Sequence, residues 1–330
     1  MTRSYAYRAT FRADLAVIYE RLQPKTVGCF DLAELSLVPL EDLLFGGAHT
    51  WFVDGQAGRV RALLAAEIGR VSERTACLAC ASSVDGHDIC AAYVPMAAEN
   101  IRSCESRSAL PRDPGHCTQF VPGRRLRVIN GDARRGRGAS FATRVETVLA
   151  LAACPTEAVN EAIELCKRSS QVDVPLPIED GLLDLVISVL APVRLMEVPF
   201  AYFDELMTRR FGPWMADPSP DLASEIDQLR HTLFRTQLEA HIRELARLTH
   251  PLHGRMYFAT LPLEPENAGA WSLDRGITDC VDVLSQHFAF DFQTFPAEAF
   301  LRRSRDDQSI VLQAAVLRRK QPPPARGGQP

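Results

Sequence analysis

The chain has 330 residues, of which 46% are hydrophobic and 24% charged, with a formal net charge of −4. A chain of this length buries a core without disulfide or metal staples, and a mild negative charge argues against a nucleic-acid backbone as its main partner. No apolar run approaches the roughly 18 residues of a membrane span, and the first residues lack the apolar stretch of a secretory signal. The expectation is therefore no membrane, a cytoplasmic location and nine reduced cysteines.

Residues 1–45 read as an N-terminal helical cap, 46–319 as one α/β domain, and the Pro- and Gly-rich end 320–330 as a disordered tail. Within the domain, short apolar runs alternate with helical periodicity, the pattern of a parallel sheet with crossover helices. "HTWFVDG" at 49–55 is the first predicted strand, followed by Val60, Leu63, Leu64, Ile68 and Val71 at helical spacing. "TACLACASS" at 75–83 is the second and "RLRVINGDA" at 125–133 the third.

The segment 135–180 breaks the alternation. Val145, Val148, Leu149 and Ala152, then Ala158, Ala162, Ile163 and Leu165, predict two helices separated at Pro155. They form a helical hairpin inserted on the carboxyl side of the sheet. "LLDLVISVLA" at 182–191 is the fourth strand, apolar enough to be buried on both faces. Ser219 and Pro220 open a long helix reaching Thr249, with an apolar stripe from Leu222 to Leu248. "PLHGRMYFAT" breaks it at Pro251 and turns into a fifth strand. "HFAFDFQTF" and "SIVLQAAVLRR" complete a sheet of about seven strands.

Four phrases in this order resemble the class I S-adenosylmethionine-dependent methyltransferases. "FVDGQAGRVRALL" is similar to the first cofactor loop, "RVINGDAR" to the strand-three element, "DLVISVLAPV" to the strand-four element, and "LARLTHPLHGRMYFAT" to the helix-turn-strand phrase before strand five. The resemblance implies a Rossmann-like, seven-stranded, mostly parallel sheet with helices on both faces and an antiparallel C-terminal strand. It implies S-adenosyl-L-methionine as cofactor and in-line methyl transfer to an acceptor, small molecule or protein, that the sequence does not name.

By the same resemblance Asp54, Gly55, Gln56, Ala57 and Gly58 form the first loop, with Gln56 standing where the family has glycine. Asp85 is the acid that would hold the ribose hydroxyls, with Asp88 as its rival. Asp132 lies on the adenine side, and Ser188 and Leu190 face the transferred methyl group. An inactive scaffold or interaction protein of the same fold is the alternative. A nicotinamide dehydrogenase is disfavoured, because the turn lacks the G-x-G-x-x-G triple.

Other constellations have plainer readings. Cys77 and Cys80 are read as core thiols on a strand, where positions three apart face opposite ways, and no metal is expected. Arg134, Arg135 and Arg137 are read as a solvated loop, with guidance of an anionic substrate as the sharper alternative. Phe200, Tyr202, Phe203 and Trp214 are read as core, His250 and His253 as exposed turn residues, and Asp184 as a group that caps and orients strand four.

Overall fold

The computed structural model describes residues 13–30, 48–54, 126–131, 133–169, 171, 173–190, 192–260, 273–291, 293–294 and 313–320. They build an α/β fold around one sheet. Its strands are β1 (Thr26–Phe30), β2 (His49–Asp54), β3 (Leu126–Asn130), β4 (Leu185–Leu190), β5 (Arg255–Thr260), β6 (Phe288–Phe290) and β7 (Gln313–Arg319), in the spatial order β3-β2-β1-β4-β5-β7-β6. The first five pair in parallel, and β7 runs antiparallel between β5 and β6.

The five later strands fall on their predicted runs, but the start of the sheet does not. "HTWFVDG" forms a strand as expected, yet it is β2. Ahead of it "TVGCF" forms β1 and pairs with both β2 and β4 at the centre of the sheet. The helical cap over 1–45 is corrected accordingly, since its residues 26–30 are core strand. Five residues that include a glycine are too short to show a period. Gly28 is nonetheless required there, because a Cβ would lie 2.5 Å from Leu183 Cδ1 and 2.6 Å from the Phe30 ring. The predicted second strand at 75–83 and the helix from Val60 lie outside the described residues.

Five helices carry labels: α1 (Arg137–Leu151), α2 (Pro155–Ser169), α3 (Pro192–Phe211), α4 (Pro220–Leu248) and α5 (Leu273–His287). A further helical segment at 13–22 reaches the sheet face opposite α4, where the buried Tyr257 hydroxyl donates to Asp14 at 3.1 Å. No helix among the described residues is long and apolar enough to cross a membrane. The predicted long helix is α4. Ser219 caps it by accepting from Leu222 N–H, Pro220 opens it, and Pro251 lies just past its end.

α4 has 29 residues, hence a length of about 43 Å, roughly twice that of a six-residue strand. Its two halves therefore serve two apolar cores. Phe234, Leu238, Ile242, Leu245 and Leu248 pack on the sheet with Phe30, Val53, Val186 and Phe258. Leu222, Ile226, Leu229 and Leu233 pack beyond it with α1, α2 and α3, around Phe141, Val159, Phe203 and Trp214.

The return from α2 to β4 is an extended strap, residues 173–182, which crosses the sheet face alongside α4. Leu176 and Ile178 sit in the sheet core. The strap lies so close to the end of β3 that a Cβ on Gly131 would be 2.4 Å from Leu176 Cδ2. A chain buried this way needs partners for its backbone, and two residues of α4 supply them. Glu244, fully buried, accepts Leu176 N–H at 2.7 Å. Arg247 donates to the carbonyls of Ile178 at 2.8 Å and Leu176 at 3.0 Å, pairs with Asp180, and binds Glu244 through two nitrogens at 2.6 and 3.0 Å. Arg135 adds a contact to Glu244 at 3.3 Å and pairs with Asp173.

Asp184 ties the amino edge of the sheet together, as its position at the head of β4 predicts. Its carboxylate accepts the N–H groups of Lys25 at 2.9 Å and Thr26 at 3.1 Å and meets His253 Nε2 at 2.8 Å. Burial alone would raise this carboxyl, but the Lys25 and Thr26 donors and the His253 ring outweigh it and hold it below its ordinary value.

Two outcomes follow from these contacts. Glu244→Ala or Arg247→Ala should each lower urea-unfolding stability by about 3 kcal/mol, because each leaves a buried partner uncompensated. Arg209→Ala, which breaks an exposed pair with Glu205, should change it by no more than about 0.5 kcal/mol. Equal effects in the two places would refute the staple. For Asp184 the folded value is depressed, so its contribution is complete above the unfolded value of about 4 and fades as pH falls through the folded one. Asp184→Asn should flatten the acid limb of the stability–pH curve below about pH 4, as read by thermal melts across that range.

Candidate functional site

The strand order reverses between β1 and β4: from β1 the chain winds outward through β2 to β3, and β4 then opens the other half. In an open parallel sheet the ligand crevice lies at such a switch, outside the carboxyl ends of the strands. Phe30, the last residue of β1, is level with Ser188, and β4 continues beyond it to Leu190. Phe30 and Ser188, which lie level at that switch, are both fully buried.

Ser188 faces α4, as do Val186 and Phe258, and its Oγ lies 2.9 Å from Nε2 of His241. His241 is likewise fully buried. It belongs to a polar line on an otherwise apolar helix face: Gln237, His241 and Glu244 follow one another at helical spacing, all almost without exposure. Thr249, just past α4, bridges Leu183 at the amino edge of β4, so earlier residues of α4 lie nearer the carboxyl edge. Glu244 is thus deepest under the strap, His241 meets Ser188, and Gln237 is closest to the crevice. Gln237 Oε1 takes a long contact of 3.5 Å from Arg134, whereas its buried Nε2 has no hydrogen-bond partner.

The arginine loop is corrected. It was expected to be solvated, but Arg135 and Arg137 are buried. Arg137 Nη1 donates to the Thr236 carbonyl at 2.6 Å, while Arg135, at a φ of 58°, is held by Glu244, Asp173 and a bond from Val174 N–H to its own carbonyl. Two of the three cations therefore fix the start of α1 and the strap to α4. Anion guidance is left to the half-buried Arg134.

Of the residues predicted for the cofactor, Asp54 and Ser188 are described. Asp54 ends β2, half-buried and in register with Asn130 of β3. β2 is one strand removed from the switch between β1 and β4. Gly55, Gln56, Ala57, Gly58, Asp85 and Asp132 lie outside the described residues, as do Cys77 and Cys80. His241 and Gln237 escape the sequence reading. Their one signal is polarity at core positions of the α4 stripe, beside Leu238 and Ile242.

Phe200, Phe203 and Trp214 are core, as expected, with Tyr202 packed against them. His250 and His253 stack at the turn before β5, with ring centroids 3.5 Å apart, on the edge of the sheet away from the crevice. Burial pushes the Cys29 and Cys166 thiols far up, so neither is a nucleophile. Comparison with protein families, curated proteins and solved structures gives no match for this chain.

The Ser188–His241 pair is testable for stability by itself. Ser188→Ala and His241→Leu should each cost about 1–3 kcal/mol in urea unfolding, because each strands the other buried group. The double variant, which removes both polar groups, should recover part of that loss. Strict additivity would mean that the two side chains do not interact.

Proposed function

We propose that the chain is an S-adenosyl-L-methionine-dependent methyltransferase with a Rossmann-like fold, helices on both sheet faces and α1–α2 as an inserted helical hairpin. The observation that carries this reading is the seven-stranded sheet, order β3-β2-β1-β4-β5-β7-β6, with β7 alone reversed; a mostly parallel sheet of seven with an antiparallel C-terminal strand is what the resemblance implies, although the first of its four phrases continues from β2 and not from β1. The antiparallel β7 beside β5 fits this reading better than a nicotinamide dehydrogenase.

The residues fit the cofactor once they are placed by strand. The family's ribose acid stands at the end of strand two, and here that residue is Asp54, half-buried and with its carboxylate at the carboxyl edge. Asp54 therefore takes the role first given to Asp85. Asp132 follows β3 and keeps the adenine side, and Ser188 lies at the switch. Gln56 follows β2 in the sequence, so it does not stand directly after β1, where the family's glycines approach the cofactor.

Bound S-adenosyl-L-methionine supplies an activated methyl group for in-line displacement, so the chain has to bind, orient and exclude water, not furnish a nucleophile. Asp54 anchors a hydroxylated ring. The cap of α1, α2, α3 and the first half of α4 stands beyond the carboxyl edge, over the crevice, where an acceptor would enter.

Isothermal titration with S-adenosylhomocysteine tests the proposal. Micromolar binding is expected, and Asp54→Asn should weaken it by about tenfold or more, the loss of a charge-assisted hydrogen bond. No heat at millimolar ligand would leave an inactive scaffold as the reading.

A further inference from the structure

α4 hands over to β5 through the turn at residues 250–254, and a histidine ring holds that turn. Leu252 N–H donates to His250 Nδ1 at 3.2 Å, and His253 N–H donates to the same nitrogen at 3.3 Å. His250 N–H donates to the Leu183 carbonyl at 2.8 Å, and Gly254 N–H returns to the His250 carbonyl at 3.1 Å. The His253 ring stacks on the His250 ring, and its Nε2 meets Asp184 at 2.8 Å. Asp184 in turn accepts the Lys25 and Thr26 N–H groups where β1 begins. One carboxylate and two imidazoles thus join the turn to β4 and β1.

An imidazole nitrogen accepts a hydrogen bond only while it carries no proton. The two bonds received at Nδ1 therefore assign His250 as the neutral ring with its hydrogen on Nε2, and Nδ1 is its one basic site. A proton taken up there replaces the lone pair that both N–H groups share and sets a donor against two donors. The residue is half-buried, so solvent protons reach it. We propose that the His250 ring is a pH-operated latch: unprotonated, it closes the turn between α4 and β5, and its protonation opens the turn and draws His253 away from Asp184.

The surroundings favour the closed form. Loss of water around the His250 ring lowers its pKa, the neighbouring His253 lowers it further, and the Asp184 carboxylate only partly offsets them, so the ring titrates below the ordinary value of 6.5. The other charges close to the turn are engaged elsewhere. Arg255 of β5 donates to the carbonyls of His253 and Gly254 and pairs with Asp291. Arg247 of α4 pairs with Asp180 and Glu244, and Arg319 of β7 donates to the Thr249 carbonyl. Because the folded value is depressed, the latch contributes fully above about pH 6.5 and is lost as the pH falls through the folded value. The contribution of Asp184 fades only below about pH 4, so the two windows are separate. The latch does not depend on what the crevice binds.

Imidazole nitrogen shifts and amide exchange of the full chain, followed by NMR from about pH 7.5 to about pH 5, test the latch. At neutral pH His250 should show the Nε2–H tautomer. As it takes up its proton, the exchange protection of the Leu252 and His253 amides, corrected for the intrinsic pH dependence of exchange, should fall about tenfold or more. Freely titrating turn histidines would leave that protection unchanged. His250→Asn keeps a side-chain oxygen that accepts the same two N–H groups and does not titrate, so protection should persist across the range. His250→Phe, which has no acceptor, should lack protection throughout.

If His250→Phe does not fold, the wild type and His250→Asn decide. Protection that stays constant while His250 titrates, protection that falls equally in His250→Asn, or an Nδ1–H tautomer at neutral pH overturns the proposal.

Discussion

The fold turns on the contact between Glu244 and Arg247 of α4 and the backbone of the strap at 173–182. An extended segment laid on a sheet face, outside the ladder, has no ladder partners of its own, and burying it would leave several N–H and C=O groups unsatisfied. Here the carboxylate takes one N–H and the guanidinium takes two carbonyls, while the two side chains neutralise each other in a bidentate pair. That arrangement sets the height of α4 over β4. Because Glu244 lies one turn from His241, it also sets how His241 meets Ser188.

A helix as long as α4 links two cores that would otherwise be joined by loops. Its second half is fixed to the sheet and its first half carries the helical layer, so the layer over the carboxyl edge stands on a rigid support. The buried Arg135 and Arg137 belong to the same device: they fasten the start of α1 to α4 where the chain leaves β3. Positive charge close to a candidate binding crevice invites a reading as anion attraction. Burial and pairing show that most of it is consumed internally, and an arginine already opposite a carboxylate has little field left for a ligand.

What could be read from the sequence followed period and punctuation. α4 was visible from end to end, because an eight-residue apolar stripe lies between a Ser-Pro start and a Pro stop. β4 was visible as a continuous apolar run, and α1 and α2 through their spacing and Pro155. β1 was not visible, since "TVGCF" has neither length nor alternation and its glycine, which the packing of Leu183 and Phe30 demands, reads locally as a breaker. The strap was hidden for a different reason: its partners lie some 70 residues away on α4, and no local pattern reports them. His241 and Gln237 were hidden in the same way, as polar letters within a helix whose solvent side is also polar.

With "HTWFVDG" as β2, Asp54 and Gln56 change place relative to the switch, whereas Asp132 still follows β3 and Ser188 still lies on β4. With "HTWFVDG" taken as the first strand, Gln56 had to fit a turn that in this class of sheet admits the ligand's backbone contacts, and a glutamine there is an obstacle. With the same strand in second place, Asp54 is in register with Asn130 while Phe30 and Ser188 lie at the switch, so Gln56 does not follow the strand at the switch. Under the proposed reading, the acid at the end of β2 is the one that would hold the ribose hydroxyls. One aspartate accounts for both the apparent motif and the apparent defect, because a short apolar strand followed by an acid and a glycine looks the same at the first position of a parallel sheet as at the second. Only the neighbours of the strand distinguish them.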